Sequence, residues 1–221
     1  FYDSPRGPNG EIIGPIVAYA GTYKDGEMEN QWIGPDYFNF AKAEQNPDVR
    51  SYFAGIIAQK ISTFMAHYPT VVIGMPMGGI LLACDIGRIL DCHTIFAEKK
   101  ITALANPEQG LKEVSELIID RHEILSEDTV VIVEDVCNNF STTQKAFDLI
   151  VGKGAKFIGI ACAINRSDTE KWNDYSVGSA EFKPSKQYRQ NDPEVSELIA
   201  DGKIVWKPKQ QWSILKRAMG E

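Results

Sequence analysis

The stretch TVVIVEDVCNNFST, residues 129–142, places two acids and a polar turn after an apolar run. The five residues of TVVIV are all β-branched, which is typical of a strand buried on both faces of a parallel sheet. Glu134 and Asp135 follow this run directly, and a turn rich in Asn, Ser and Thr comes next. The sequence therefore predicts a buried strand that brings two carboxylates and a polar turn to one edge of a sheet.

The segments around this stretch alternate between strand and helix patterns. Apolar residues recur every three or four positions from Asp48 to His67, which predicts an amphipathic helix. Further strands are predicted at 70–74, 93–100, 113–120 and 157–165, and further helices at 80–90 and 143–151. This order predicts an α/β fold, a doubly wound and mainly parallel sheet flanked by helices.

The two ends of the chain are less regular than its middle. Residues 1–45 contain two strand patterns, at 15–23 and 36–44, joined by an acidic polar loop, and we expect them to form a small N-terminal cap or hood. Residues 46–168 form the predicted core, and 169–221 a C-terminal extension packed on it. Within the extension we expect a strand near Ala180, a helix at 193–200, a strand at 204–206 and a final helix ending near Met219.

Composition limits the class of partner. The chain has 221 residues and a net charge of -7, which argues against a nucleic acid as the main partner. Its four cysteines form no CxxC pair, so neither a zinc site nor a disulfide framework is predicted. No apolar run approaches the roughly 20 residues of a membrane helix. We therefore expect a soluble, cytoplasmic protein with no membrane and no nucleic-acid partner.

Glu134, Asp135 and the turn after them are suited to binding a sugar phosphate. In open parallel sheets, ligands bind at the carboxyl ends of strands, where helix N-termini offer free N–H groups to anions. The two carboxylates could accept hydrogen bonds from ribose hydroxyls while residues 138–142 cradle a 5′-phosphate. In the alternative reading, the acids are solvated strand-end residues and the Ser/Thr group is only an N-cap.

The same stretch resembles the phosphoribosyl pyrophosphate signature of type I phosphoribosyltransferases. GMPMGGILLA, residues 74–83, is similar to the pyrophosphate loop of that family, and FAEKK, residues 96–100, is similar to the strand before its catalytic loop. Among these families, orotate phosphoribosyltransferases and their bacterial relatives are the most similar. YFNF at 37–40 and Arg166 after the strand IACAIN carry that part of the resemblance, which spans residues 30–168.

This resemblance implies an activity and a set of site residues. The expected enzyme moves the ribose 5-phosphate group from phosphoribosyl pyrophosphate to a nucleobase, with orotate as the favoured base, giving orotidine monophosphate and pyrophosphate in pyrimidine biosynthesis. The implied catalytic residues are Glu134, Asp135, Lys99 and Lys100. The implied substrate-binding residues are Pro76, Met77, Gly78, Gly79, Cys137, Asn138, Asn139, Phe140, Ser141, Thr142, Arg166 and, for stacking on the base, Phe38.

The resemblance also implies a cofactor and an assembly. Mg²⁺ is expected to be held mainly by substrate oxygens and water, so no dedicated set of protein metal ligands is predicted. A homodimer is expected, in which residues 101–112 reach the site of a neighbouring subunit. By alignment, the unusual cis peptide of the pyrophosphate loop would join Pro76 to Met77.

The chain departs from the family pattern at several positions. Phe140 stands where a glycine is usual, and because phenylalanine resists a positive φ, we expect the loop to turn without it or to use an Asn there. Asn138 and Asn139 replace Thr or Ala, and Gly78 replaces a lysine. Two alternatives therefore stay open: the same fold with a purine or another pyrimidine as substrate, or a noncatalytic regulator that binds a phosphoribosyl ligand or nucleotide.

Overall fold

The structure, a computed structural model, describes residues 1–103 and 114–220. Its strands are β1 (Tyr2–Asp3), β2 (Ile16–Asp25), β3 (Met28–Gly34), β4 (Asp36–Tyr37), β5 (Val71–Gly74), β6 (His93–Phe96), β7 (Glu98–Ala103), β8 (Val114–Ile118), β9 (Thr129–Cys137), β10 (Lys156–Asn165), β11 (Lys171–Trp172), β12 (Tyr175–Phe182) and β13 (Ile204–Val205). Its helices are α1 (Phe40–Ala43), α2 (Pro47–Phe64), α3 (Gly79–Leu90), α4 (Ser141–Gly152), α5 (Pro193–Ala200) and α6 (Trp212–Ala218).

The chain divides into two compact units. The smaller unit combines Phe1–Asn39 with Pro184–Glu221, and the larger unit runs from Phe40 to Lys183. This division differs from the boundaries predicted at residues 45 and 168. Pairing that is remote in sequence explains the difference, because β13 pairs with β2 and Tyr188 bridges to Ile33.

A six-stranded sheet forms the centre of the larger unit. Its strand order is β11-β12-β10-β9-β5-β6, and the strands run parallel except for β11, which is antiparallel to β12. The apolar runs of β5 and β9 are buried, as strands covered on both faces require. The predicted α/β fold with a mainly parallel sheet flanked by helices is confirmed.

Helices cover both faces of this sheet. Helix α4 packs on the face that presents alternate residues of β5 and β9, including Ile73 and Ile132. Gly74 belongs to the opposite face, where a Cβ atom would lie 2.7 Å from the Cα of Ile80 in α3. Helix α2 contacts α3 and the strands β10 and β12. This is the doubly wound arrangement that the sequence predicts.

The first residues of α2 explain where this helix begins. The Asn46 side chain caps the helix by accepting a hydrogen bond from the Asp48 N–H at 2.9 Å, and Pro47 occupies the first helical position, where no N–H is needed.

Among the described residues, no helix is long and apolar enough to cross a lipid bilayer.

The strand predicted at 93–100 is divided in the structure. Residues up to Phe96 form β6 in the main sheet, whereas β7 begins at Glu98 and pairs with β8 in a separate antiparallel ribbon. The chain therefore leaves the main sheet at Ala97. Most of the segment predicted to reach a neighbouring subunit, residues 104–112, lies outside the described residues.

In the smaller unit, β2 is paired on both sides. It forms an antiparallel hairpin with β3 and a parallel pair with β13. The prediction of an acidic loop before residue 36 is therefore wrong, because a two-residue turn at Gly26, whose φ is +60°, brings Met28 opposite Asp25. The predicted strand at 36–44 is also wrong beyond Tyr37, since helix α1 begins at Phe40.

The turn before α4 contradicts the expectation for Phe140. This residue itself takes the left-handed conformation, with φ +55° and ψ +16°, although its side chain disfavours it. Its ring packs against the core cluster, with the centroid of Trp172 6.4 Å away. Its carbonyl also accepts a hydrogen bond from the Gln144 N–H. Packing of the ring and the first turn of α4 therefore hold a phenylalanine in a conformation that normally favours glycine.

Two substitutions at this position separate ring packing from backbone strain. Phe140→Ala and Phe140→Gly both remove the ring, but only glycine relieves the left-handed penalty, so the glycine variant should be more stable by about 1 kcal/mol. The free energy of unfolding in urea measures this difference.

A matched pair at Lys145, an exposed residue inside α4, provides the control. There Lys145→Gly should be less stable than Lys145→Ala by about 1 kcal/mol, because glycine weakens a helix interior. The same order of stability at both positions would contradict the conformation assigned to Phe140.

Candidate functional site

The carboxyl ends of three neighbouring parallel strands bring the predicted site segments together. The chain leaves β5 through residues 75–79, and the Met75 N–H donates to the Val133 carbonyl of β9 at 2.9 Å. On the other side of β9, the Arg166 N–H, directly after β10, donates to the Cys137 carbonyl at 2.9 Å. The loop after β5, the acids of β9 and Arg166 thus lie side by side along one edge.

The loop after β5 rests against the end of β9. Its Pro76–Met77 peptide is cis, which confirms the prediction from alignment. A Cβ atom on Gly78 would lie 2.2 Å from Oδ2 of Asp135, and one on Gly79 would lie 2.2 Å from the Val133 carbonyl oxygen. The two glycines therefore allow the loop to approach β9 closely. Met77 points outward and is 82% exposed.

The paired acids differ in their surroundings. Oδ1 of Asp135 accepts a hydrogen bond from the Val136 N–H at 2.9 Å. Burial, with the negative charge of Asp135 added, raises the pKa of Glu134 to about 8, while the Lys99 ammonium opposes this rise. Glu134 is therefore largely protonated at neutral pH, and Lys99 of β7 is an electrostatic neighbour of the site.

The turn between β9 and α4 is ordered by its own side chains. The side-chain Oδ1 of Asn139 accepts a hydrogen bond from the Ser141 N–H at 3.2 Å. Cys137 points into the core instead, where its hydrogen bond with Cys162 and burial raise the pKa of its thiol well above the usual value. The Cys137 side chain is thus part of the core and does not line the predicted phosphate-binding turn, which leaves Asn138, Asn139, Ser141 and Thr142 as its polar candidates.

Of the two predicted lysines, only Lys99 influences the pKa of Glu134. Both side chains are exposed on β7. Because successive side chains of a strand point to opposite sides, Lys100 faces away from the side that Lys99 occupies. Phe38 belongs to the smaller unit, where its ring centroid lies 4.4 Å from that of Phe1.

Arg166 is buried, with only 4% of its surface exposed, and is therefore not a solvated loop arginine. The segment after it is closed by the Asn165 carboxamide, whose Nδ2 donates to the Thr169 carbonyl at 2.8 Å. Oδ1 of Asn165 accepts from the Ser167 N–H at 3.0 Å and from its hydroxyl at 2.7 Å. Sequence reasoning missed this network, although Asn, Ser and Thr side chains commonly hydrogen-bond to the backbone two residues further along in turns.

Within residues 1–103 and 114–220, no group of three or more His, Cys, Asp or Glu side chains is arranged to hold a metal ion. Asp135 nevertheless provides carboxylate oxygens, the type of ligand that Mg²⁺ prefers, and Glu134 provides them when it is ionised. The site fits a cation that arrives with the oxygens of a substrate.

Curated relatives with similar sequences are orotate phosphoribosyltransferases. The one from Carboxydothermus hydrogenoformans is 27% identical over 174 residues, which cover 78% of this chain and 82% of the relative. The one from Caldanaerobacter subterraneus is 28% identical over 132 residues, 60% of this chain and 62% of the relative. The chain thus spans less than two thirds of the length of this relative.

Solved structures share the fold. Adenine phosphoribosyltransferase from Trypanosoma brucei superimposes with a TM-score of 0.53 at 13% identity, covering 67% of this chain and 70% of that chain. Orotate phosphoribosyltransferase from Aeropyrum pernix gives 0.50 at 12% identity, covering 83% and 93%. At these identities, the similarity supports a common fold only.

The family model described as phosphoribosyl transferase domain matches residues 43–194, which is more than half of the chain. This range includes the sheet, the loop with the cis peptide, both acids of β9 and Arg166. The protein therefore belongs to the phosphoribosyltransferase family.

Proposed function

We propose that this protein transfers the ribose 5-phosphate group of phosphoribosyl pyrophosphate to a nucleobase, with orotate as the favoured acceptor. The observation that carries the proposal is the position of Glu134 and Asp135, which lie at the end of β9 between the loop at 75–79 and the turn at 138–142. The names of the sequence relatives support orotate as the base.

The donor would bind along the edge formed by β9 and α4. The carboxylates of Glu134 and Asp135 accept hydrogen bonds from ribose hydroxyls, and the polar turn presents N–H groups and hydroxyls to the 5′-phosphate. The 12-residue helix α4 adds a favourable dipole for this anion at its N-terminus. The left-handed Phe140 supports this role, because the turn has the backbone conformation that a glycine would give.

The pyrophosphate would face the loop after β5. The backbone N–H groups of Met77 and Gly78 and the Lys99 ammonium stabilise the charge that develops on the leaving group, whereas Pro76 has no N–H and the Gly79 N–H donates to the Met75 carbonyl. Mg²⁺, when bound through substrate oxygens and the nearby carboxylates, would supply further neutralisation of the diphosphate. The side chain of Lys100 points to the opposite side of β7 from that of Lys99, so Lys100 would contact the pyrophosphate only if β7 changed its conformation.

The reaction requires no protein nucleophile. The bond between C1 of the ribose and the pyrophosphate oxygen breaks, and the oxygen keeps the electron pair. A ring nitrogen of the base supplies the pair for the new bond to C1, through a transition state with oxocarbenium character, and the proton of that nitrogen passes to the departing pyrophosphate or to water. Catalysis then comes from positioning and from stabilisation of charge.

Arg166 would bind the carboxylate of orotate, a planar group that matches its guanidinium.

Asp135→Asn tests the central acid. The variant keeps the shape of the side chain and an acceptor for the Val136 N–H, but it loses the charge, so turnover should fall by about two orders of magnitude or more. Steady-state release of pyrophosphate measures this change. Asp148→Asn, the same substitution on an exposed site of α4, should leave turnover unaltered. The same turnover in both variants would show that the charge of Asp135 has no role in catalysis.

The raised pKa of Glu134 predicts a pH dependence of donor binding. Only the ionised carboxylate has full acceptor capacity, and its population grows as the pH rises towards and beyond the pKa of about 8. Between about pH 6.5 and about pH 8.5, the affinity for phosphoribosyl pyrophosphate should rise roughly 20-fold more in the wild type than in Glu134→Gln. Titration calorimetry with Mg²⁺ present measures both curves. Parallel curves would show that Glu134 does not titrate on binding.

A panel of bases tests the acceptor. Orotate, uracil, adenine, guanine, hypoxanthine and xanthine are compared, and orotate should give the highest kcat/KM. Arg166→Ala should lower kcat/KM for orotate about 100-fold and abolish the preference, and Arg166→Lys should recover only part because it lacks the bidentate fork. Preferential use of a purine would favour the alternative in which the same fold acts on a purine.

The noncatalytic alternative gives a different result in the same panel. Tight binding of phosphoribosyl pyrophosphate without turnover of any base would favour a regulator. Absence of donor binding would contradict both functions.

A further inference from the structure

We propose that Trp172 is a positioning residue for the phosphoribosyl donor, because its ring holds Phe140 in the conformation that shapes the turn at 138–142. The inference rests on the proposed function, which assigns the 5′-phosphate to this turn. It goes further by naming a side chain of β11, remote from the stretch at 129–142, on which the shape of the turn depends.

The turn before α4 contains one residue in an unfavourable conformation. Phe140 has a φ of +55°, which is costly for a residue with a Cβ atom and is easily taken by glycine. The bonds around it are local, since Oδ1 of Asn139 accepts from the Ser141 N–H and the Phe140 carbonyl accepts from the Gln144 N–H at 2.9 Å. If Phe140 relaxed to a negative φ, the peptide groups on both of its sides would rotate. The N–H groups of the turn would then point in other directions.

Trp172 is the residue that joins Phe140 to an aromatic cluster. Its ring centroid lies 6.4 Å from that of Phe140, 5.5 Å from that of Phe147 in α4 and 6.1 Å from that of Phe157 in β10. The Tyr175 ring stacks on Trp172 and lies 4.6 Å from the Phe157 ring. These rings pack with the core of the larger unit. A change of φ at Phe140 would withdraw its ring from this cluster, so contact with Trp172 favours the left-handed conformation.

The hairpin that carries Trp172 is held independently of the turn that it supports. Trp172 of β11 lies opposite Tyr175 of β12, and the two residues between them, Asn173 and Asp174, have φ values of +47° and +69°. Two successive positive φ values give the tight hairpin turn that matches the twist of the strands, and Asn and Asp tolerate this conformation better than most residues. Strand β12 in turn pairs with β10 in the main sheet. The sheet therefore fixes the position of the Trp172 ring.

Steady-state kinetics of Trp172→Leu tests the inference. Leucine keeps an apolar side chain on the core but lacks the ring that reaches Phe140, so the KM for phosphoribosyl pyrophosphate should rise about 10-fold while the KM for the base stays within about twofold. Trp172→Phe keeps a ring, and its donor KM should stay within about threefold of the wild type. Trp206→Leu, the same change at an exposed tryptophan of the smaller unit, should alter neither constant. An equal rise of both KM values in Trp172→Leu would overturn the inference.

A glycine at position 140 separates positioning from a general loss of structure. Glycine takes a positive φ without the support of a ring, so adding Phe140→Gly to Trp172→Leu should bring the donor KM back to within about threefold of the wild type. Phe140→Ala in the same background keeps the Cβ atom and its penalty, and it should leave the donor KM raised. A Phe140→Gly double variant whose donor KM remains as high as that of Trp172→Leu would contradict the role of Trp172.

Titration with two parts of the donor gives a readout that is independent of turnover. Ribose 5-phosphate carries the 5′-phosphate, whereas inorganic pyrophosphate represents the leaving group. By calorimetry with Mg²⁺ present, Trp172→Leu should lower the affinity for ribose 5-phosphate about 10-fold and leave that for pyrophosphate within about twofold. Equal losses for both ligands, or an unchanged affinity for ribose 5-phosphate, would overturn the inference. A wild type that uses no base would overturn the proposed function, while the selective loss of ribose 5-phosphate affinity in Trp172→Leu would still support the role of Trp172.

Discussion

The larger unit depends on one constraint, which is that β9 is paired on both sides for only part of its length. Val130–Val133 are paired with both β5 and β10, but β5 ends at Gly74, while the pairing with β10 continues to Cys137. The place beside Glu134 and Asp135 is therefore taken by the loop after β5 instead of a strand. If β9 shifted by one residue against β5, Glu134 would lie opposite Gly74 and its carboxylate would be buried between paired strands. The apolar residues of β9 and its two acids therefore favour the same register.

This unequal pairing accounts for the electrostatics of the site. Glu134 is still close to the buried part of the sheet, so desolvation dominates its pKa, and the adjacent Asp135 adds repulsion. Asp135 lies one residue further along, where it has the Val136 N–H as a donor and the backbone of Gly78 as a neighbour.

Local pattern predicted most of the larger unit and the position of its acids. The β-branched run at 129–133 and the spacing from Asp48 to His67 depend on burial alone, and burial is what hydrophobic periodicity reports. The hairpin turn also had a local signal, since Gly26 occupies the first position of the two-residue loop Gly26-Glu27, where glycine is favoured, but the charges around it concealed the strand pattern. Phe140 could not be predicted, because its conformation depends on packing of its ring near Trp172, a residue remote in sequence. The closed turn at Asn165 could not be predicted either, because its hydrogen bonds form only when Asn165, Ser167 and Thr169 all take their folded positions.

The parallel pairing of Ile16 and Val17 with Ile204 and Val205 has a consequence for how the chain acquires its structure during synthesis. The smaller unit contains segments from both sides of the larger one, so its sheet cannot be completed until residues near 205 have left the ribosome. Strand β2, which contributes Ile16 to a buried apolar cluster with Val195 and Leu198, must wait while the larger unit folds by contacts between nearer segments. During that interval the edge of β2 that later pairs with β13 is unpaired, and unpaired strand edges are prone to associate with other chains.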